Sequence, residues 1–190
     1  LTCITLEEIP PHTQEIVVAR GFKACVKTKQ EMIEAVLYYA NRAAEKARQK
    51  HVFAKNIHDF IRTDPYGDKA TSYSASRAIV LNEAHNDAGT IIKAALQALE
   101  AIYKPNHSYQ KAGVMLTGLD YADERQSSFF GGGQNDKTSL LMKTMDQINK
   151  QHGRETIRPA VAGSNKTRFM ARNLLSPRYT TKWNELRKIG

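Results

Sequence analysis

Two stretches of apolar residues at helical spacing, each flanked by β-branched runs, set the order β-α-β-β-α-β between Glu15 and Leu119. Few folds accept that order. Glu15 to Phe22 is short and rich in Ile and Val, a strand. Thr28-Lys-Gln-Glu31 is a capping box, in which hydroxyl and carboxylate satisfy each other's orphan N–H groups. Met32, Val36, Tyr39, Ala43 and Ala47 follow in steps of four and three and form one helical face. Arg42, Lys46, Arg48 and Lys50 fall on the opposite side, where a solvated face complementing the helix dipole is expected.

His51 to Thr63 predicts a second strand, Pro65 to Asp68 a turn, and Arg77 to Asn82 a third strand. Strands adjacent in sequence pair most economically as an antiparallel hairpin. Asn86 or Asp87 caps a second helix through Ile91, Ala95, Leu99 and Ile102, which ends before Lys104-Pro105. Tyr109 to Leu116 predicts the fourth strand. The expected class is α+β: a four-stranded sheet with two helices on one face and the other face free, followed by a small, mostly helical extension.

The flanks differ in texture. Residues 1–14 contain Pro10-Pro11, which forbids a helix across them and reads as a linker from something upstream; a chain opening on Leu1 is expected to be a piece of a longer polypeptide. Residues 15–119 form the domain, and 120–190 the extension. Asp120 to Asn135 is polar, with Gly131-Gly-Gly133, a flexible connection. Asp136 can cap a helix through Leu140, Leu141, Met145 and Ile148 that stops at Gly153. A short strand over Thr156 to Ala162, a basic stretch from Lys166 to Arg172 and Ser176-Pro-Arg-Tyr-Thr-Thr181 complete it.

Charge narrows the partner. The 190 residues hold 28 Lys and Arg against 19 Asp and Glu, a net +9, with a pI near 9.6. Such a surplus points to a polyanion, nucleic acid before membrane; the alternative is a soluble basic protein without one. No apolar run approaches the ~20 residues a bilayer requires, so no membrane partner is expected. Two cysteines, Cys3 and Cys25, cannot staple a domain of this size, which favours a reducing, cytoplasmic setting.

Converging catalytic groups are not evident. The six histidines show no metal-ligand spacing, no carboxylate cluster suggests a two-metal site, and Gly131-Gly-Gly133 lacks the Lys-Ser/Thr of a phosphate loop. His58 and Asp59 are neighbours on a strand and point to opposite faces. Neither a metal nor a catalytic site is expected in this chain. Cations on strands carry more signal. Arg20, Lys55, Arg62, Arg77 and Lys111 each lie on one of the four strands, and a subset could meet phosphates from the open face. Lys55 and Arg62 are seven apart, so an unbulged strand sends them to opposite sides. Scattered surface charge fits the spacing equally well. Gln126-Ser-Ser-Phe129-Phe130 has the form of a docking peptide, with two apolar anchors and one orienting amide; the alternative is that both rings pack on the extension's own core.

Three stretches carry a resemblance. Tyr109-Gln-Lys-Ala-Gly-Val-Met-Leu116, the run from Met145-Asp146 to Gly153-Arg154, and Leu175-Ser-Pro-Arg-Tyr-Thr-Thr181 resemble the C-terminal part of the UmuC-like (ImpB/MucB/SamB) Y-family translesion DNA polymerases. The resemblance implies a little-finger domain over 15–119 that grips primer–template DNA along the major groove, mainly through phosphates, as suits an enzyme that must tolerate damaged bases. Ala19-Arg-Gly-Phe22 is similar to the family's Ser-Arg-Ser-Phe segment, with Arg20 retained and both serines absent. Gln126-Ser-Ser-Phe-Phe130 is similar to the family's sliding-clamp peptide, usually Gln-Leu-x-Leu-Phe, with Gln126 and Phe130 retained. Implied partners are the β sliding clamp, the processed UmuD dimer and the RecA filament. The palm carboxylates that hold Mg2+ would lie upstream of Leu1, so the chain is expected to bind DNA without polymerising. A rival from another class is a non-catalytic basic adaptor that binds proteins rather than DNA.

Overall fold

In a computed structural model, residues 13–64, 72–121, 136–153, 155–159 and 176–186 are described. Their order is β1 (Glu15–Val26), α1 (Lys29–Gln49), β2 (Val52–Thr63), β3 (Ser74–His85), α2 (Ala88–Ile102), β4 (Tyr109–Tyr121), α3 (Asp136–His152) and a 3-10 turn (Trp183–Glu185). The α+β arrangement is the one the sequence predicts.

Both helices of the domain start where their caps dictate. Glu31 N donates to Thr28 Oγ1 at 3.3 Å and Thr28 N donates to Glu31 Oε2 at 3.4 Å, so the capping box closes in both directions. Asp87, rather than Asn86, caps α2 by accepting from Thr90 N at 2.8 Å. Met32, Val36, Tyr39, Ala43 and Ala47 of α1 and Ile91, Ala95, Leu99 and Ile102 of α2 are all buried.

The four strands form one antiparallel sheet in the order β1-β4-β2-β3. The β2–β3 hairpin is as expected, and β4 is inserted beside β2, where it also receives β1. Alternation fixes the faces. Ile57 and Ile61 of β2, Ala112, Val114 and Leu116 of β4 and Ile16 of β1 are buried against α1 and α2, which pack on each other and on this side of the sheet. The opposite side lies outside the helix layer.

Two expectations are corrected. The basic residues of α1 are not a merely solvated face. Arg48 Nε and Nη2 donate to Asp146 at 2.6 and 2.8 Å, and Nη1 donates to Asn86 O at 2.9 Å. Lys46 Nζ donates to Val17 O, Lys50 Nζ to Thr13 Oγ1, and Arg42 pairs with Glu45. These contacts dock α3 and β1 onto α1. Secondly, no strand forms over 156–159, the described part of the Thr156 to Ala162 expectation. Asn149 explains why: its side chain accepts from Ile157 N at 2.9 Å and donates to Ile157 O at 2.8 Å, meeting the backbone needs a partner strand would otherwise meet.

The helix expected from Asp136 forms, but it buries other residues than the leucines. Met142 is buried and Met145 packs against the core, while Leu140 and Leu141 are 67% and 56% exposed.

Candidate nucleic-acid interface

Cross-strand register sorts the uncovered face into rows. Ser74, Arg62, Lys111 and Gly21 stand side by side across β3, β2, β4 and β1. Next come Ser76, Phe60, Gly113 and Ala19; then Ala78, His58, Met115 and Val17; then Val80, Asn56, Thr117 and Glu15. Directly opposed residues share a face, so each row is one line of side chains.

Arg62 lies directly across from Lys111. Like charges opposed on neighbouring strands repel, and an anion bridging them relieves that cost. Lys55 marks the other end of the face. The registers locate the break that lets it join Arg62 on one side: β2–β3 shifts between Ala54 and Asn56, where β3 runs from Val80 to His85, whereas β2–β4 stays in step from Ala54↔Leu119 to Asn56↔Thr117 and leaves Lys55 opposite Gly118. Ala54 is buried on the helix side and Ile57 is again buried there, so Lys55 and Asn56 both fall on the open side. Gly118 of β4 adopts φ +59° beside this bulge, and a Cβ there would stand 3.0 Å from Asn56 Nδ2 and 3.4 Å from Lys55 Cβ.

Arg20 and Arg77 go elsewhere. Arg20 is opposed to the buried Ala112 and Arg77 to the buried Asp59, so both project from the helix side of the two edge strands. The structure therefore brings Lys55, Arg62 and Lys111 to one face and sets Arg20 and Arg77 on the rims of the other. Gln126, Phe129 and Phe130 lie outside the described residues.

Between the two groups of cations the described face carries no Lys, Arg, Asp or Glu in its two middle rows. The Phe60 ring edge crowds Gly113: a Cβ at Gly113 would overlap Ala19 Cβ and stand 2.5 Å from Phe60 Cζ. His58 Nε2 and Thr117 Oγ1 are 2.9 Å apart, and Asn56 Nδ2 donates to the same hydroxyl at 3.4 Å. Ser74, Ser76 and Ala78 of β3 keep that side low and exposed. Glu15 and Asp120 carry the carboxylates, both at the Lys55 end. Such a surface offers cations at two ends, with Phe60, Met115 and Val17 and the hydroxyls of Ser76 and Thr117 between them.

His58 faces out and Asp59 faces in, as strand alternation predicts. Asp59 is fully buried among Ile57, Ile61 and Val114, and neither carboxyl oxygen has a hydrogen-bond partner. Burial pushes its pKa well above the usual carboxylate range. An acid buried in the sheet–helix core, where burial favours its neutral form, is inaccessible to substrate and belongs to stability. Cys25 lies in β1 and donates to Gln110 Oε1 at 3.1 Å. Among the described residues no three His, Cys, Asp or Glu side chains converge as a metal requires, and no helix is long and apolar enough to cross a membrane.

Comparison with known proteins adds two matches along the chain. Residues 13–129 match the impB/mucB/samB family C-terminal domain, and residues 139–189 match a domain of unknown function. The chain is 37% identical over 188 residues to the UmuC protein of Salmonella typhimurium, covering 98% of this chain and 44% of that protein. It is 38% identical to the ImpB protein of Salmonella typhimurium over 97% of this chain and 44% of that protein, and 38% identical to the MucB protein of Escherichia coli over 97% and 43%. The chain thus spans less than half the length of these relatives. Among solved structures, a complex of a β-clamp processivity factor with the little finger domain of PolIV aligns at TM-score 0.40 and 15% identity, over 60% of this chain and 97% of that one.

Proposed function

The chain belongs to the impB/mucB/samB family, whose C-terminal domain it carries, and on that premise we propose that its uncovered sheet face grips the two backbones of a primer–template duplex. The observation that carries the reading is the placement of Arg62 and Lys111 at one end of that face and Lys55 at the other. Along β2 they are separated by roughly 20 Å at about 3.3 Å per residue. The major groove is about 12 Å wide, so cations reaching inward from two such ends meet the phosphate rows on either side of it. The uncharged rows between them face the groove floor without demanding a particular base, which suits synthesis past damage. Translesion polymerisation itself is assigned to the longer protein. Among the described residues no His, Cys, Asp and Glu side chains converge as a pair of magnesium ions would need.

Gln126, Phe129 and Phe130 are proposed as a tether to the β sliding clamp, on the strength of their similarity to the family's clamp peptide. The processed UmuD dimer and the RecA filament remain proposed partners of the longer protein.

Salt dependence tests the grip. Phosphate contacts make log K for duplex DNA fall with log salt at about −0.9 per neutralised phosphate. Replacing Lys55, Arg62 and Lys111 together by Ala should flatten that slope by about 2 to 3, whereas the Arg20→Ala and Arg77→Ala pair should leave it nearly unchanged. Equal slopes for the two variants, or no duplex binding by the intact chain at low salt, would sink the reading and favour the adaptor. For the tether, Ala at Gln126, Phe129 and Phe130 should abolish clamp binding without moving the thermal melt.

A further inference from the structure

Charge in the second half of the chain is concentrated at its end. Residues 120–160 hold six Lys and Arg and six Asp and Glu, whereas residues 161–190 hold seven cations and one acid, Glu185. Within that basic stretch, residues 176–186 form a self-capped motif. Thr181 N and Lys182 N donate to Arg178 O at 3.2 and 3.0 Å, Arg178 N donates to Glu185 Oε2 at 2.6 Å, and Lys182 Nζ pairs with Glu185 Oε1 at 3.1 Å. The Arg178 N–H, first, and the Lys182 ammonium hold the Glu185 carboxyl below its usual range. The one acid of the stretch is thereby spent inside the motif as a staple.

What the staple presents is aromatic. Trp183 is 89% exposed, with Tyr179 and Leu186 exposed beside it, and a groove of about 300 Å³ runs between Tyr179, Thr180, Thr181, Lys182, Trp183 and Leu186. An indole left in water costs apolar surface on the scale of 150–250 Å² per large ring, and a stretch this basic repels basic partners and attracts polyanions. Exposed rings amid cations fit a strand whose bases are unpaired, because only unpaired bases offer a flat face to stack while their phosphates meet the cations. Stacked duplex bases are closed to it.

We infer that residues 176–186 form a binding site for single-stranded nucleic acid, with Tyr179 and Trp183 as the stacking rings and the surrounding cations meeting the phosphates. The site goes beyond the duplex grip, lies on a different element and does not depend on it. It gives the region matching a domain of unknown function a physical role: holding an unpaired strand.

Trp183 is the single tryptophan of the chain, so its emission reports on the motif directly. Titrating the full chain with a twelve-nucleotide oligothymidylate should quench that emission, and a blunt duplex of the same length should quench it far less. By anisotropy of the labelled oligonucleotide, Trp183→Ala and Tyr179→Ala should each weaken single-strand binding roughly 5- to 150-fold, with Trp183→Phe retaining most of the affinity. Both rings lie outside the core, and an unchanged melt confirms that the variants remain folded. The Lys55, Arg62 and Lys111 variant should lose duplex affinity yet keep the quench, which separates failure of this inference from failure of the duplex reading. An unchanged affinity in Trp183→Ala, equal quenching by duplex, or displacement of the oligonucleotide by polyglutamate at matched charge would overturn it. The last result would identify the motif as a dock for an acidic protein.

Discussion

Arg48 and Asp146 meet in a two-point ion pair, Nε to Oδ2 at 2.6 Å and Nη2 to Oδ1 at 2.8 Å, with the third guanidinium nitrogen on Asn86 O. The pair joins α1, inside one matched region, to α3, inside the other. Both side chains are mostly shielded, at 12% and 26% exposed, so a planar fork of this kind is worth more than a surface pair. Arg48→Ala should cost about 2–3 kcal/mol in denaturant unfolding. It should also raise hydrogen exchange across Asp136–His152 first. Unaltered exchange in α3 would show that the methionine contacts alone hold it.

Asp59 makes stability depend on pH in an unusual direction. The unfolded chain releases this proton above about pH 3.9, whereas the folded core retains it because burial disfavours the anion. The folded state then binds more protons, so the contribution is full below about pH 4 and declines as pH rises toward the raised folded value. The decline from this one group is at most about 1.4 kcal/mol per pH unit. Asp59→Asn, which keeps the shape and removes the charge, should flatten the slope of unfolding free energy above pH 4. An unchanged slope would place the titration elsewhere.

Gly113 is where the uncovered face has no room. A methyl group there meets Ala19 Cβ, fixed to the neighbouring strand, and the Phe60 ring, which could swing away. Gly113→Ala should therefore cost about 1–3 kcal/mol. Adding Phe60→Ala should recover only part of it, because the Ala19 overlap remains. Full recovery in the double variant would mean that the strands shift apart more readily than their register implies.

The capping box gives a calibrated reference. Thr28→Ala removes the acceptor for Glu31 N and should cost about 1 kcal/mol, read from the unfolding midpoint. A loss near zero would mean that α1 is held by its buried face alone.

Local rules carried most of the fold. The Thr28–Glu31 box, the Met32-to-Ala47 stripe and the Ile91-to-Ile102 stripe each name a helix without help from the rest of the chain, and the hairpin follows from adjacency. Strand ends were less legible: β1 runs on to Val26, β3 spans Ser74–His85, and β4 continues to Tyr121. Polar and small residues in those extensions join ladders that only neighbouring strands supply. In α3 the apolar stripe of Leu140, Leu141, Met145 and Ile148 was right for Met145, but both leucines are exposed and Met142 is buried instead, a rotation compatible with the Arg48–Asp146 pair. The layout of the cations was hidden for a similar reason. Nothing in Ala54-Lys-Asn56 announces a bulge; the signal sits on the partner strand, in Gly118, whose left-handed backbone few other residues tolerate.

That local break in alternation, shared between Lys55 and Gly118, makes the electrostatics of the sheet a matter of counting rather than of composition. Excise Lys55 alone and strict alternation returns with Ala54 and Val52 still facing the helices, but the residues before it fall one place out of step with β4 and the open face loses its cation at that end. In this part of the molecule a one-residue deletion would be felt as a slip between strands, and point substitutions that preserve the count should be forgiven far more readily.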